Sequence, residues 1–158
     1  MTRRRFGRPE PRDRDKEPEP HADPESVART ILLTKLTATA RSRHELAEAL
    51  AARNVPDDVA TRVLDRFEQV GLVDDEAFAE SWVRSRQAAK GLSRRALGRE
   101  LLDKGVDADT ITASLAGVDD EAEAAAARRL VEHKLRSIRQ LDEATRTRRL
   151  VAMLARKG

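Results

Sequence analysis

Apolar residues return along this chain at helical intervals and are interrupted every ten to fifteen positions by a cap or a glycine. Ala28, Ile31, Leu32 and Leu36 fall at i, i+3, i+4 and i+8, one face of a helix opening near Ser26. Ser42 with Glu45 three residues on predicts a capping box, and Leu46 and Leu50 mark the buried face behind it. Pro56-Asp57-Asp58 opens a third helix through Val59, Val63, Leu64 and Phe67, closed at Gly71. The order then repeats. Asp74 or Asp75 caps a helix with Phe78, Ala79, Trp82 and Val83; Gly91 ends it, Ser93 caps the next, and Gly105 closes that one. A short helix from Asp107 carries Ile111 and Leu115 and stops at Gly117. From Asp119 a long Ala-rich helix runs through Leu130, Val131 and Leu135, and a last one holds Leu150, Val151 and Leu154. No alternating run or Asn-Gly or Asp-Gly hairpin competes, so no strand is expected.

The recurrence is close enough to be a repeat. SRHELAEALAARNV from Ser42 matches SRRALGRELLDKGV from Ser93, with Leu46 and Leu50 in register with Leu97 and Leu101. RRLVAMLARKG is a fainter third copy, with Leu150 and Leu154 in those roles and Lys157-Gly158 at its end. A period near fifty residues points to stacked helical units, each too small to bury its apolar face alone. The expected architecture is all-α: an elongated, curved array of tandem three-helix repeats over 25–72, 73–117 and 118–158, the third cut short. Residues 1–24 hold five of the six prolines and almost no aliphatics, and are expected to be a disordered charged tail.

Composition narrows the function classes. The chain has no cysteine, hence no disulfide and no thiolate metal site. No apolar run approaches the ~20 residues that span a bilayer, and the basic N-terminus lacks the apolar stretch of a signal peptide, so a cytoplasmic protein without a membrane partner is expected. His21, His44 and His133 stand apart with no ligand partner at helical spacing, and Asp74-Asp75-Glu76 sits where helix caps sit. No Gly-rich phosphate loop or nucleophile elbow is present. The expectation is no metal, no cofactor and no catalysis.

Charge is what remains. The formal net charge is +3, but residues 57–83 carry eight acids against two bases and residues 84–106 seven bases against two acids. Residues 107–127 then carry six acids and no base, and residues 128–158 ten bases against three acids. Basic blocks set between acidic ones along a repeating array suit a surface facing a polyanion, with strong salt dependence. The candidate binding residues are Arg84, Arg86, Lys90, Arg94, Arg95, Arg99 and Lys104, with Arg41, Arg43, Arg148 and Arg149 as a second set. Aromatics make up 3% of the chain, so base stacking is not expected; any contact with single-stranded or duplex DNA would be weak, backbone-driven and without sequence preference.

At ARSRHELAEAL, GLVDDEAFAESWVRSR, KGLSRRALGRELLDKGV and RRLVAMLARKG the sequence resembles the RecX family of regulators of RecA recombinase. Gly71, Leu72, Asp74, Asp75, Phe78, Ala79 and Trp82 carry the most specific part of that resemblance. It implies three tandem three-helix units, the last helix of the third falling beyond Gly158. It further implies a monomeric, non-enzymatic protein in the groove of the RecA–single-stranded DNA filament. There it would restrain ATP hydrolysis, strand exchange, LexA co-cleavage and filament extension, and so regulate DNA repair and the SOS response. The alternative from the residues is a helix-turn-helix transcription regulator. SRRALGREL offers arginines to such a reader but no amide side chain for adenine.

Overall fold

The computed structural model describes residues 23–158, which form eight α-helices and no strand. The expected tail lies outside the described residues except for Asp23 and Pro24. The first unit comprises α1 (Pro24–Ala38), α2 (Arg43–Ala51) and α3 (Asp57–Gln69). The second comprises α4 (Asp75–Lys90), α5 (Arg94–Asp103) and α6 (Ala108–Leu115). The pair α7 (Asp120–Ile138) and α8 (Glu143–Ala155) follows.

The helix ends obey their caps. Ser42, Asp74, Ser93, Asp107, Asp119 and Asp142 each accept a backbone N–H of the first turn through the side chain, and Ser42 and Glu45 complete the capping box. The first helix opens slightly earlier than Ser26. Asp23 caps it by accepting from Glu25 and Ser26, and Pro24 takes the first turn, where a missing N–H costs nothing. Two turns after a middle helix use left-handed backbone, at Asn54 (φ 56°) and Gly105 (φ 71°).

Each complete unit closes its own core. In the first, Leu32, Leu46 and Leu50 are fully buried among Ala28, Val59, Val63, Leu64 and Phe67. In the second, Leu97 and Leu101 are fully buried among Phe78, Ala79, Val83, Leu115 and Val118. Complete burial of one such leucine contributes roughly 1.5–3 kcal/mol. Every closely packed helix pair lies within a unit, α3 covering α1 and α2 as α6 covers α4 and α5. The α7–α8 pair is thinner. Only Ala126 and Ile138 are buried on α7 and no side chain on α8, and Val151 stays 61% exposed.

Candidate interaction surface

Helical geometry divides the basic block of the second unit. Arg84 and Arg86 are two apart on α4, which turns them about 200° from each other. Arg84 lies along a groove between α4, α6 and α7 with Gln87, Ser114 and Arg129. Arg86 turns the other way, onto Trp82, with its guanidinium carbon 4.3 Å from the ring centroid and Nε 3.1 Å from Glu100. Trp82 is half-buried against the core, and its indole N–H donates to Glu100 at 2.8 Å. Lys104 Nζ lies 4.4 Å from the same ring and 2.7 Å from Glu45 of the first unit. Two cations thus stand on the aromatic face of one tryptophan, each also held by a carboxylate.

The remaining candidates divide the same way. Arg43 bonds Asp65 (2.7 Å) and Glu68 on α3, so it braces the first unit from within. Arg41 pairs with Glu45 at 3.5 Å, and its Nε is buried with no partner among the described residues. Arg94 donates through Nε to the Val118 carbonyl at 2.7 Å, tying α5 to the turn before α7. Arg84, Lys90, Arg95, Arg99, Arg148 and Arg149 are exposed and have no carboxylate or carbonyl partner among the described residues. Arg95 and Arg99 share the outer face of α5 with Leu102, which is 64% exposed, at i, i+4 and i+7.

Acidic residues that charge counting passed over turn out to organise these cations. The Glu45 carboxyl accepts from the Ser42 N–H and from Lys104. Burial pushes it up, but the Lys104 ammonium, the Ser42 N–H and Arg41 together outweigh burial and hold it below its ordinary value. Asp75 accepts the Arg43 N–H at 2.8 Å across 32 residues, and Glu123 accepts the Arg94 N–H at 2.6 Å. The only sequence signal for these contacts was the register of the repeat: Ser42-Arg43 and Ser93-Arg94 occupy the same place in successive units. His44 is exposed and so is His133; His21 lies outside the described residues. Among the described residues no group of three His, Cys, Asp or Glu is placed to hold a metal ion. No helix among them is long and apolar enough to cross a membrane.

Two family models match, the RecX first three-helix domain over residues 28–67 and the RecX second three-helix domain over residues 74–115. Residues 28–67 lie within α1–α3 and residues 74–115 within α4–α6 with the Asp74 cap. The chain is 52% identical over 139 residues to the regulatory protein RecX of Streptomyces coelicolor, covering 88% of this chain and 74% of that relative. It is 55% identical over 136 residues to the regulatory protein RecX of Mycobacterium avium, covering 85% and 78%. The crystal structure of RecX from Lactobacillus salivarius shares the fold, with a TM-score of 0.75 at 20% identity over 87% of this chain and 89% of that one. The capped units, their paired cores and these similarities agree: the chain belongs to the RecX family of regulatory proteins.

Proposed function

We propose that this chain is a non-enzymatic modulator of RecA that binds the groove of the RecA–single-stranded DNA filament. In that role it restrains ATP hydrolysis, strand exchange and filament extension, and through them regulates DNA repair and the SOS response in the cytoplasm. The observation that carries the reading is the set of cations on α4 and α5 that no partner among the described residues neutralises, Arg84, Lys90, Arg95 and Arg99, on a chain of the RecX family. Arg148 and Arg149 on α8 extend the set. Arg41, Arg43, Arg86, Arg94 and Lys104 act one step removed, by holding units and helices in place.

Inhibition of this kind needs no chemistry. A ligand that prefers one state of the filament shifts the population toward that state by its difference in affinity, and so slows any cycle that must leave it. A monomer whose exposed arginines alternate with acidic stretches suits a groove lined by both protein and phosphate. Direct contact with DNA is then weak and independent of sequence, because guanidinium forks on a helix face engage phosphate oxygens rather than base edges.

The test is DNA-stimulated ATP hydrolysis by RecA while the folded chain is titrated in. Inhibition that deepens with added chain supports the reading. A folded, helical chain that leaves the rate untouched at saturating concentration would overturn it.

A further inference from the structure

The units meet twice at equivalent serines, each donating to the carbonyl of a lysine at the end of a helix, through the side chain at the first joint and through the backbone at the second. At the first joint the Ser42 hydroxyl, on the N-cap of α2, donates to the Lys104 carbonyl at the end of α5 (2.6 Å). At the second, the Ser93 N–H, on the N-cap of α5, donates to the Lys157 carbonyl just after α8 (3.0 Å). A glycine completes each contact. A Cβ on Gly105 would overlap the His44 ring, and one on Gly158 would overlap the Ser93 side chain. Beside each serine the next N–H finds a carboxylate from the first turn of the following unit, Asp75 for Arg43 and Glu123 for Arg94.

At the first joint these contacts are polar and few, whereas at the second Leu130 of α7 also lies against Gly91, with Leu92 and Leu154 lining the same cleft. The apolar clusters of the first and second units share no residue, and none of the closely packed helix pairs crosses a joint. An interface without a shared apolar core has little to resist bending, since a few hydrogen bonds at its edge can exchange with water at small net cost.

Besides the donor atom, the two joints differ at a charged position. Three residues after the first serine stands Glu45; three after the second stands Ala96. Glu45 holds Lys104 at 2.7 Å with both side chains about four-fifths buried (18% and 21% exposed). At the second joint Lys157 occupies the place of Lys104 and has no carboxylate within ion-pair reach among the described residues.

We infer that the array is articulated at two homologous serine-to-carbonyl joints, the first clamped by the Glu45–Lys104 ion pair and the second left without a clamp. The Glu45–Lys104 pair therefore narrows the range of angles between the first and second units, and no ion pair among the described residues does the same at the second joint. This is a property of the free chain and does not rest on the RecA reading, so it is measured without RecA and its failure leaves that reading standing.

The chain has no cysteine, so pairs of introduced cysteines take spin labels at defined sites. Thr61→Cys with Thr112→Cys, both exposed and on α3 and α6, spans the first joint; Thr112→Cys with Thr147→Cys on α8 spans the second. Distance distributions are recorded by pulsed electron paramagnetic resonance in the otherwise wild-type chain, in Lys104→Met and in Glu45→Gln. Gln at position 45 keeps the capping box and removes only the charge, which separates loss of the clamp from loss of the helix cap. Broadening across the first joint in both variants, with the second unchanged, is the expected result. No broadening in either variant, broadening in only one, or equal broadening across both joints would overturn the inference.

Discussion

The Ser42 hydroxyl donates to the Lys104 carbonyl at 2.6 Å across 62 residues, while the same oxygen accepts the Glu45 N–H at 3.2 Å. One completely buried hydroxyl therefore caps a helix and ties two units together. Ser42→Ala removes both functions and leaves two backbone groups without partners. The expected loss is about 2 kcal/mol, the upper end for a cap, with an unpaired buried carbonyl contributing to it. Asp142→Ala removes a cap at an exposed position and should cost less, about 1 kcal/mol or below. Urea denaturation of the two variants measures the difference, and equal losses would show that the Lys104 bond contributes nothing.

Gly105 and Gly71 make a matched pair for weighing the first joint. Both have left-handed backbone, φ 71° and 74°, so both resist an L side chain equally. A Cβ on Gly71 meets nothing within 4 Å, whereas one on Gly105 would overlap His44. Gly71→Ala should cost about 1–2 kcal/mol from backbone strain alone. Gly105→Ala should cost clearly more, because the added Cβ would overlap both Cβ and Cγ of His44. Alanine at position 44 keeps that Cβ, so His44→Gly in the same chain should recover the excess, less the roughly 1 kcal/mol that glycine itself costs in a helix. Thermal melts of the three variants decide it; failure of the second substitution to rescue would mean that the helices do not approach as described.

The core leucines test the repeat itself. Leu46 and Leu97 are fully buried, and truncation to Ala should cost about 2–5 kcal/mol at each. Leu150, the counterpart on α8, is only partly buried, so its truncation should cost less than either. A Leu150→Ala loss as large as that of Leu97→Ala would mean that α8 is covered in solution by something absent from residues 23–158.

These contrasts show which features local sequence encodes. Helices and their starts were legible because caps and apolar spacing act within one or two turns: Ser42-x-x-Glu45, Ser93 and Leu97-x-x-x-Leu101 each carry their own signal. The basic face was legible only as a list of charges. Whether Arg43 faces solvent or α3, and whether Lys104 meets Glu45, depends on contacts 22 to 59 residues distant that no local spacing encodes. Trp82 shows the same limit. Its helical position placed it toward the core, but its Nε1–H finds Glu100 and its face finds Arg86 and Lys104 only once α4, α5 and the first unit are assembled.

Glu45 gives the clamp a pH signature. Its carboxyl titrates below its ordinary value of 4.5 in the folded chain, so the unfolded chain takes up the proton first as pH falls. The stabilisation is complete above that ordinary value and is lost as pH falls through the lowered one. Chemical denaturation at pH 7 and at successive steps below 4.5 should show wild-type stability declining over that interval, and Glu45→Gln should decline less steeply. Parallel acid limbs would assign the decline to other carboxylates.

Exposure predicts which arginines can be reversed without harm to the fold. Arg95 and Arg99 project from the outer face of α5 with no ion-pair partner among the described residues to lose, so Arg95→Glu with Arg99→Glu should preserve helicity and leave stability within about 0.5 kcal/mol. Arg43→Glu sets a carboxylate against Asp65 and Glu68 and should destabilise the first unit instead. Affinity for the RecA filament should respond in the opposite order. If the two α5 arginines meet phosphate, their reversal weakens binding and lowers the slope of log affinity against log salt by about 2, since each contact removed leaves one set of counterions in place. A weakened affinity with an unchanged slope would place the pair against protein carboxylates or apolar groups in the groove rather than against DNA. Unchanged affinity at moderate salt would discard this face, and the search would move to Arg148 and Arg149 on α8.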